Sequence, residues 1–297
     1  MNYRHIFHAG NFADVFKHLV LILLIESLCK KEKPFFYLDT HAGSGIYDIG
    51  SETAKKSAEF VNGISRIYNL TECPEVVKQY QEIIRKLNSE KPGTLRFYPG
   101  SPYIVYSMLR EHDHMVLTEL HEEEYETLKN NVAAGFSLRN IYTQAKACGY
   151  NFQNKSKNIA IHHIDGYQAL KAFLPPKSIG RGLILIDPPF EQNIEWNQII
   201  NGLEIALQRF PHGIYAIWYP NKDNKITSSF YSDLKQKLSY KDILRIEFEA
   251  TKTAAFPDRD AAFGRTPLNS CGMIIINPPW QFKQQLDPIL TWLKKHF

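Results

Sequence analysis

Gly182-Leu183-Ile184-Leu185-Ile186-Asp187-Pro188-Pro189-Phe190 is an aliphatic run that ends on an acid and two prolines. Uninterrupted apolar residues, without polar alternation, read as a strand buried on both faces of a parallel sheet. The prolines end it at once, because neither has a backbone N–H to give to a ladder. Six further runs of this character lie at 35–39, 115–119, 158–165, 213–219, 242–250 and 271–277, with helical stretches between them. The pattern predicts an α/β fold with seven strands, mostly parallel, and helices on both faces. In chain order the first four runs close on Asp39, Glu119, Asp165 and Asp187. Acids also serve as turn formers, but ligands of such sheets sit beyond the carboxyl ends of the strands, so all four are candidates.

The 297 residues are 44% hydrophobic and 22% charged, a balance that excludes disordered, collagenous and membrane-bundle classes. Lys plus Arg exceeds Asp plus Glu by 35 − 31 = 4, which suits an anionic partner without requiring one. Cys29, Cys73, Cys148 and Cys271 form no CxxC pair, which fits a reducing cytoplasm and argues against a zinc knuckle. The apolar stretch 19–25 is bracketed by Lys17 and Glu26 and is too short to cross a bilayer. It reads as the buried part of a helix over about 11–29. The expectation is a cytoplasmic protein with no membrane association and no metal, and a monomer, since no association signal is present.

After the first run comes Asp39-Thr40-His41-Ala42-Gly43-Ser44-Gly45. Gly43 and Gly45 let backbone approach a ligand closely, yet the turn departs from GxGxxG and no GxxxxGK[ST] loop occurs, which disfavours NAD and ATP. Glu119 is placed to accept hydrogen bonds from ribose hydroxyls, and Asp165, followed by Gly166, from an exocyclic amine. The set describes a pocket for an adenosine without phosphates. At the D-P-P-F end, Asp187 and the Pro188 carbonyl offer two fixed acceptors. An adenine amino nitrogen needs such acceptors because its lone pair is delocalised into the ring, and Phe190 supplies a stacking face. Asn277-Pro278-Pro279-Trp280 looks similar, but follows the strand expected to be antiparallel and ends at the opposite edge, so it is assigned a structural role.

About 75 residues separate the first run from the second, far more than a crossover needs. Residues 48–98 read as an inserted helical subdomain, with Phe60, Ile64, Ile67 and Tyr68 at helical spacing and a second helix over 74–87. The main domain is then 1–47 with 99–297, and its crossover helix starts at Ser101-Pro102, with Ser101 as N-cap. Residues 139–158 carry Arg139, Lys146, Lys155 and Lys157, no acid, and the aromatics Tyr142, Tyr150 and Phe152. That stretch is either a solvated loop or an RNA-contacting arm. The N-terminal Tyr3-Arg4-His5-Ile6-Phe7-His8, leading to Lys17 and His18, is a candidate lid over the cofactor.

On YRHIFHAGNFADVFKH (3–18), YLDTHAGSG, YPGSP, LTELH, DGYQALK, RGLILIDPPF, YAIWYP and INPPW, the chain resembles the bacterial RlmJ family, adenine-N6 methyltransferases of 23S ribosomal RNA. The resemblance implies a class I methyltransferase, Rossmann-like, seven-stranded sheet with an inserted small helical subdomain, and S-adenosylmethionine as cofactor. It implies cofactor contacts from His18, His41, Ser101, Glu119, Asp165, Gly166 and Asp187, to which the glycine turn adds Gly43. Tyr3, His5 and Lys17 match positions linked to substrate placement and activity, and Asp187 the catalytic position. The expected catalytic set is Asp187, Pro188, Phe190 and Lys17, with Tyr3, His5 and Phe190 on the substrate, which would be 23S ribosomal RNA, naked or in early precursor particles. Phe190 stands where members of the family carry Tyr, and the basic stretch is not covered by the resemblance. The alternatives are a DNA adenine or protein glutamine methyltransferase, or a nonenzymatic RNA-binding module with a vestigial cofactor site.

Overall fold

The computed structural model describes residues 4–136, 158–250 and 268–297. Its strands are β1 (Phe36–Asp39), β2 (Ile46–Asp48), β3 (Phe97–Pro99), β4 (His114–Glu119), β5 (Ile159–His163), β6 (Gly182–Ile186), β7 (Ile214–Pro220), β8 (Ile243–Glu249) and β9 (Ser270–Ile276). Seven of them form one sheet in the order β5-β4-β1-β6-β7-β9-β8, while β2 and β3 pair as a separate antiparallel ribbon. β1 pairs in parallel with β4 and β6, and β9 runs antiparallel to both β7 and β8. The seven mostly parallel strands match the sheet expected from the sequence pattern and implied by the resemblance. The order reverses between β1 and β6, which opens a crevice beyond their carboxyl ends. β6 is buried at every position, as its unbroken aliphatic run requires.

One sheet face carries α1 (Phe12–Cys29), and the chain then adds α2 (Glu52–Ser57), α3 (Ile64–Ile67) and α4 (Glu75–Leu87) between β2 and β3. α5 (Ser101–Met108) and α6 (Glu122–Ala133) pack into the same core. The opposite face holds α7 (Gly166–Ala172), α8 (Ile194–Arg209) and α9 (Asn224–Lys237), and α10 (Phe282–His296) returns to the α1 side.

α1 begins where the Asn11 side chain accepts from the Asp14 N–H, a regular N-cap. Val15, Leu19, Val20, Leu21, Ile22 and Leu24 are all buried, so no face of the helix is left for water. The cause is a sandwich: β6 and β9 lie on one side, and α4 covers the other. α4 is itself amphipathic, burying Val76, Val77, Tyr80, Ile83, Ile84 and Leu87 at i, i+3, i+4 spacing. Gly63 permits the tightest contact of this layer, because a Cβ there would overlap the Gly10 carbonyl oxygen, which accepts from Ile64 N at 2.8 Å.

Three expectations change in detail. Ser101 is the first residue of α5 and Gly100 occupies the cap; the Ser101 hydroxyl donates to Asp39 Oδ2 at 2.6 Å. β5 stops at His163, short of the expected 158–165. Asp165 lies beyond it as the N-cap of α7, accepting from the Tyr167 and Gln168 N–H groups. Asn277 donates to the Pro211 and Gly213 carbonyls at the edge remote from the crevice, in the structural role assigned to it. Tyr3 and the basic stretch 139–157 lie outside the described residues. Among the described residues no helix is long and apolar enough to cross a membrane.

Candidate active site

The turn after β1, the ends of β4 and β6, and the start of α7 open onto one cavity of about 960 Å³, which continues past Asp187 to the gap between the N-terminal segment, the residues between β2 and β3, and Phe297. Its first end is built from backbone and acids. Gly43 lies at φ +58°, where a Cβ would collide with the Tyr47 hydroxyl, and its N–H donates to Glu119 Oε2 at 2.8 Å. Glu119 Oε1 accepts from His121 N at 2.8 Å. Burial pushes the Glu119 carboxyl up, against the pull of these two N–H donors. Asp39 lies beneath, fully buried, with Oδ2 accepting from Tyr37 Oη (2.8 Å) and Ser101 Oγ. Burial raises it to about 6 despite both bonds, and the nearby Asp187 adds to the rise.

His41 is held in one tautomer by simple counting. Thr40 Oγ1 gives its single proton to the Leu185 carbonyl at 3.0 Å, so the 2.8 Å contact to His41 Nδ1 requires that nitrogen to donate. Nε2 is then an acceptor, and burial holds the ring neutral by lowering its pKa to about 4. Gly166 faces it, and a Cβ there would overlap the Thr40 carbonyl. Tyr167 Oη and His121 Nδ1 line the same space and are buried without a hydrogen-bond partner among the described residues. Two glycine approaches, two orphaned polar atoms and a donor set of carboxylates fit S-adenosylmethionine, whose adenosine needs polar partners and whose sulfonium is cationic. Among the described residues no group of His, Cys, Asp or Glu could hold a metal ion.

Beyond β6 the chemistry changes. Asp187 Oδ2 accepts from Lys17 Nζ at 2.6 Å, and the same ammonium donates to Asp14 Oδ1 at 2.8 Å. Lys17 is 4% exposed. Burial opposes its charge, but the carboxylates of Asp14 and Asp187 hold it above its ordinary range. Asp14 Oδ2 bonds His5 Nε2 at 3.0 Å and accepts from Gly10 N at 2.9 Å. Burial works against the Asp14 carboxylate, yet His5 and Lys17 keep it well below the usual range. Pro188 and Pro189 line the cavity next. Phe190 sits at φ +51°, a conformation costly for a bulky residue, with its ring 4.5 Å from Trp196 and 6.0 Å from Trp218.

The N-terminal segment runs along this cavity, with a short 3-10 turn at His5–Phe7. Arg4 pairs with Glu123 of α6 at 2.6 Å, and His8 and Asn11 both reach Glu59, between α2 and α3. His18 closes the floor from behind. It is 1% exposed, with Nδ1 2.8 Å from Tyr98 Oη, and burial lowers it to about 3. The structure thus gathers His41, Gly43, Ser101, Glu119, Asp165 and Gly166 at one end and Lys17, Asp187, Pro188 and Phe190 at the other, with His5 above. Sequence reading missed Asp14, Tyr167 and Trp218. Asp14 had one usable signal, its i,i+3 spacing to Lys17.

The family model described as ribosomal RNA large subunit methyltransferase D, RlmJ, matches residues 32–297. A relative from Escherichia coli (strain K12), described as ribosomal RNA large subunit methyltransferase J, is 41% identical over 293 residues, which is 99% of this chain and 92% of the relative. One from Haemophilus influenzae with the same description is 39% identical over 295 residues, with 99% and 93% covered. A crystal structure of a Legionella pneumophila protein superposes with TM-score 0.78 at 33% identity, covering 98% of this chain and 94% of that one.

Proposed function

This chain belongs to the RlmJ family of large-subunit ribosomal RNA methyltransferases, and from that premise we propose that it methylates N6 of a specific adenine in 23S ribosomal RNA. S-adenosylmethionine, when bound, supplies a methyl group on a sulfonium. Gly43, His41, Glu119, Asp165, Tyr167 and Gly166 would hold it, its adenosine among the carboxylates and orphaned polar atoms at the first end of the cavity.

The observation that carries the reading is the state of Asp187. One of its oxygens is taken by a buried ammonium at 2.6 Å; the other is left to a substrate amine. Lys17 fixes the plane of the carboxylate. Asp187 and the Pro188 carbonyl then accept the two N6 hydrogens and draw the lone pair out of the ring, while Phe190 carries the base on its face. The chain contributes orientation and electrostatics. An adenine must leave its stack to enter, at a cost of a few kcal/mol that is least for an unpaired base. That favours naked RNA or an early precursor particle over a finished subunit, and a cytoplasmic site of action.

The test is transfer of labelled methyl to unmethylated 23S transcript, followed by nucleoside analysis. One N6-methyladenosine is expected, and Asp187→Ala should lower the rate by at least about 10²–10³-fold with the fold retained. Label entering only DNA adenine or protein glutamine would move the substrate assignment, and cofactor binding without any transfer would favour a nonenzymatic RNA-binding role.

A further inference from the structure

The ammonium of Lys17 is shared between two carboxylates, Asp14 and Asp187. We propose that Asp14 is a positioning residue for methyl transfer, one that sets the acceptor geometry of Asp187 through Lys17 and makes that geometry depend on the seating of His5. The inference rests on the function proposed above.

Asp14 sits in the first turn of α1, 3% exposed, and both of its oxygens are occupied. Oδ1 holds Lys17 at 2.8 Å, and Oδ2 holds His5 at 3.0 Å and the Gly10 N–H at 2.9 Å. The result is an imidazole–carboxylate–ammonium–carboxylate row that starts on the N-terminal segment and ends at the reacting amine. Without a second carboxylate the ammonium is drawn toward Asp187 alone and is free to engage both of its oxygens. Asp14 pulls from the opposite side. It takes one N–H direction of Lys17, which confines the contact with Asp187 to Oδ2 and leaves Oδ1 for the substrate.

Asp14 is itself aimed by the segment that carries His5. That segment is anchored at its far side by Arg4 on Glu123 and at its near side by His8 on Glu59. When the segment is seated, His5 and Gly10 fix one oxygen of Asp14 and so turn the other toward Lys17. When it lifts, Asp14 is free to rotate and Lys17 moves onto Asp187. Closure over the substrate and readiness of the acceptor are in this way one event.

A purely structural Asp14 would affect stability and nothing else, so the test reads kinetics. In single-turnover methylation of 23S transcript, Asp14→Asn is expected to lower the transfer rate about 10–100-fold, with the dissociation constant for S-adenosylmethionine and the KM for RNA within about twofold of wild type. His5→Ala should lower the rate in the wild-type background and have little further effect in Asp14→Asn, since the row is already broken. Wild-type rate in Asp14→Asn, or fully additive effects of the two changes, would overturn the proposal. Should Asp14→Asn fail to fold, Asp14→Glu keeps the charge and displaces Lys17 by a methylene, and a wild-type rate in that folded variant would overturn it equally. The wild-type enzyme separates the two levels: no transfer to RNA by wild type refutes the function and this inference together, whereas normal wild-type transfer with an unaffected Asp14→Asn refutes the inference alone.

Discussion

His18 and Asp39 are buried a few ångströms behind the cavity, and their pKa values move in opposite senses. Burial lowers His18 from 6.5 to about 3. Between those values the unfolded chain binds a proton that the folded chain refuses, so stability falls as pH drops below 6.5, by up to about 1.4 kcal/mol per pH unit. His41, lowered to about 4 by burial, acts in the same direction. Burial raises Asp39 from 3.8 to about 6. There the folded chain keeps a proton the unfolded chain has lost, so this part of the stability is present at low pH and is lost as pH rises through 6. Around pH 4–6 Asp39 offsets one of the two histidines, and a net acid loss of up to about 1.4 kcal/mol per pH unit remains. In His18→Gln one acid-sensitive group is gone, and urea titrations between pH 7 and 4.5 should show a shallower acid loss than wild type; an unchanged slope would mean that His18 is protonated in the fold. The residues whose placement at the cavity was legible in sequence are those set by local position: Gly43 in its turn, Glu119 and Asp187 at strand ends. Tyr167 and Trp218 were not, because each is defined by a cavity that the chain supplies from elsewhere; Asp14 was overlooked although His5, Gly10 and Lys17 are close to it in sequence.

At the level of elements, α1 was readable as a buried helix from its all-apolar middle, but the reason for that pattern was not. Tyr80 of α4 and Tyr98 of β3 reach back across α1 to His18, and the two hydroxyls bond each other at 2.6 Å. The residues between β2 and β3 therefore form a second wall for a helix that the sheet alone would leave half exposed. Gly63 is the pinch point of this wall. Gly63→Ala should destabilise the protein by about 1–3 kcal/mol through overpacking against Gly10, and because Gly10 also holds Asp14, methyl transfer should fall by more than the stability loss explains. Equal activity per folded molecule would show that the two layers are uncoupled. Helix starts were the least readable feature. Ser101 has the right residue type for a cap, and only the fold reveals that the helix starts on it, with Gly100 at the cap and the Ser101 hydroxyl bonded to Asp39.

Across the molecule, the sequence led to seven mostly parallel strands with the last antiparallel, and the order β5-β4-β1-β6-β7-β9-β8 became visible only in the fold. The cavity is assembled from stretches scattered between the N-terminal segment and Phe297, so a ligand that bridges them should stabilise the whole. Adding S-adenosylmethionine at 100 times its dissociation constant should raise the unfolding free energy by about 2.7 kcal/mol, visible as a higher Tm, and Gly166→Ala should abolish that shift by filling the approach to Thr40. A persistent shift in Gly166→Ala would place the cofactor elsewhere. The same dispersal has a consequence for synthesis. Lys17 and its counter-ion Asp187 are 170 positions apart, so at ordinary elongation rates roughly 10–30 s separate the emergence of one from the other. A nascent chain abandoned in that interval carries the glycine turn and a Lys17 ammonium that still lacks Asp187.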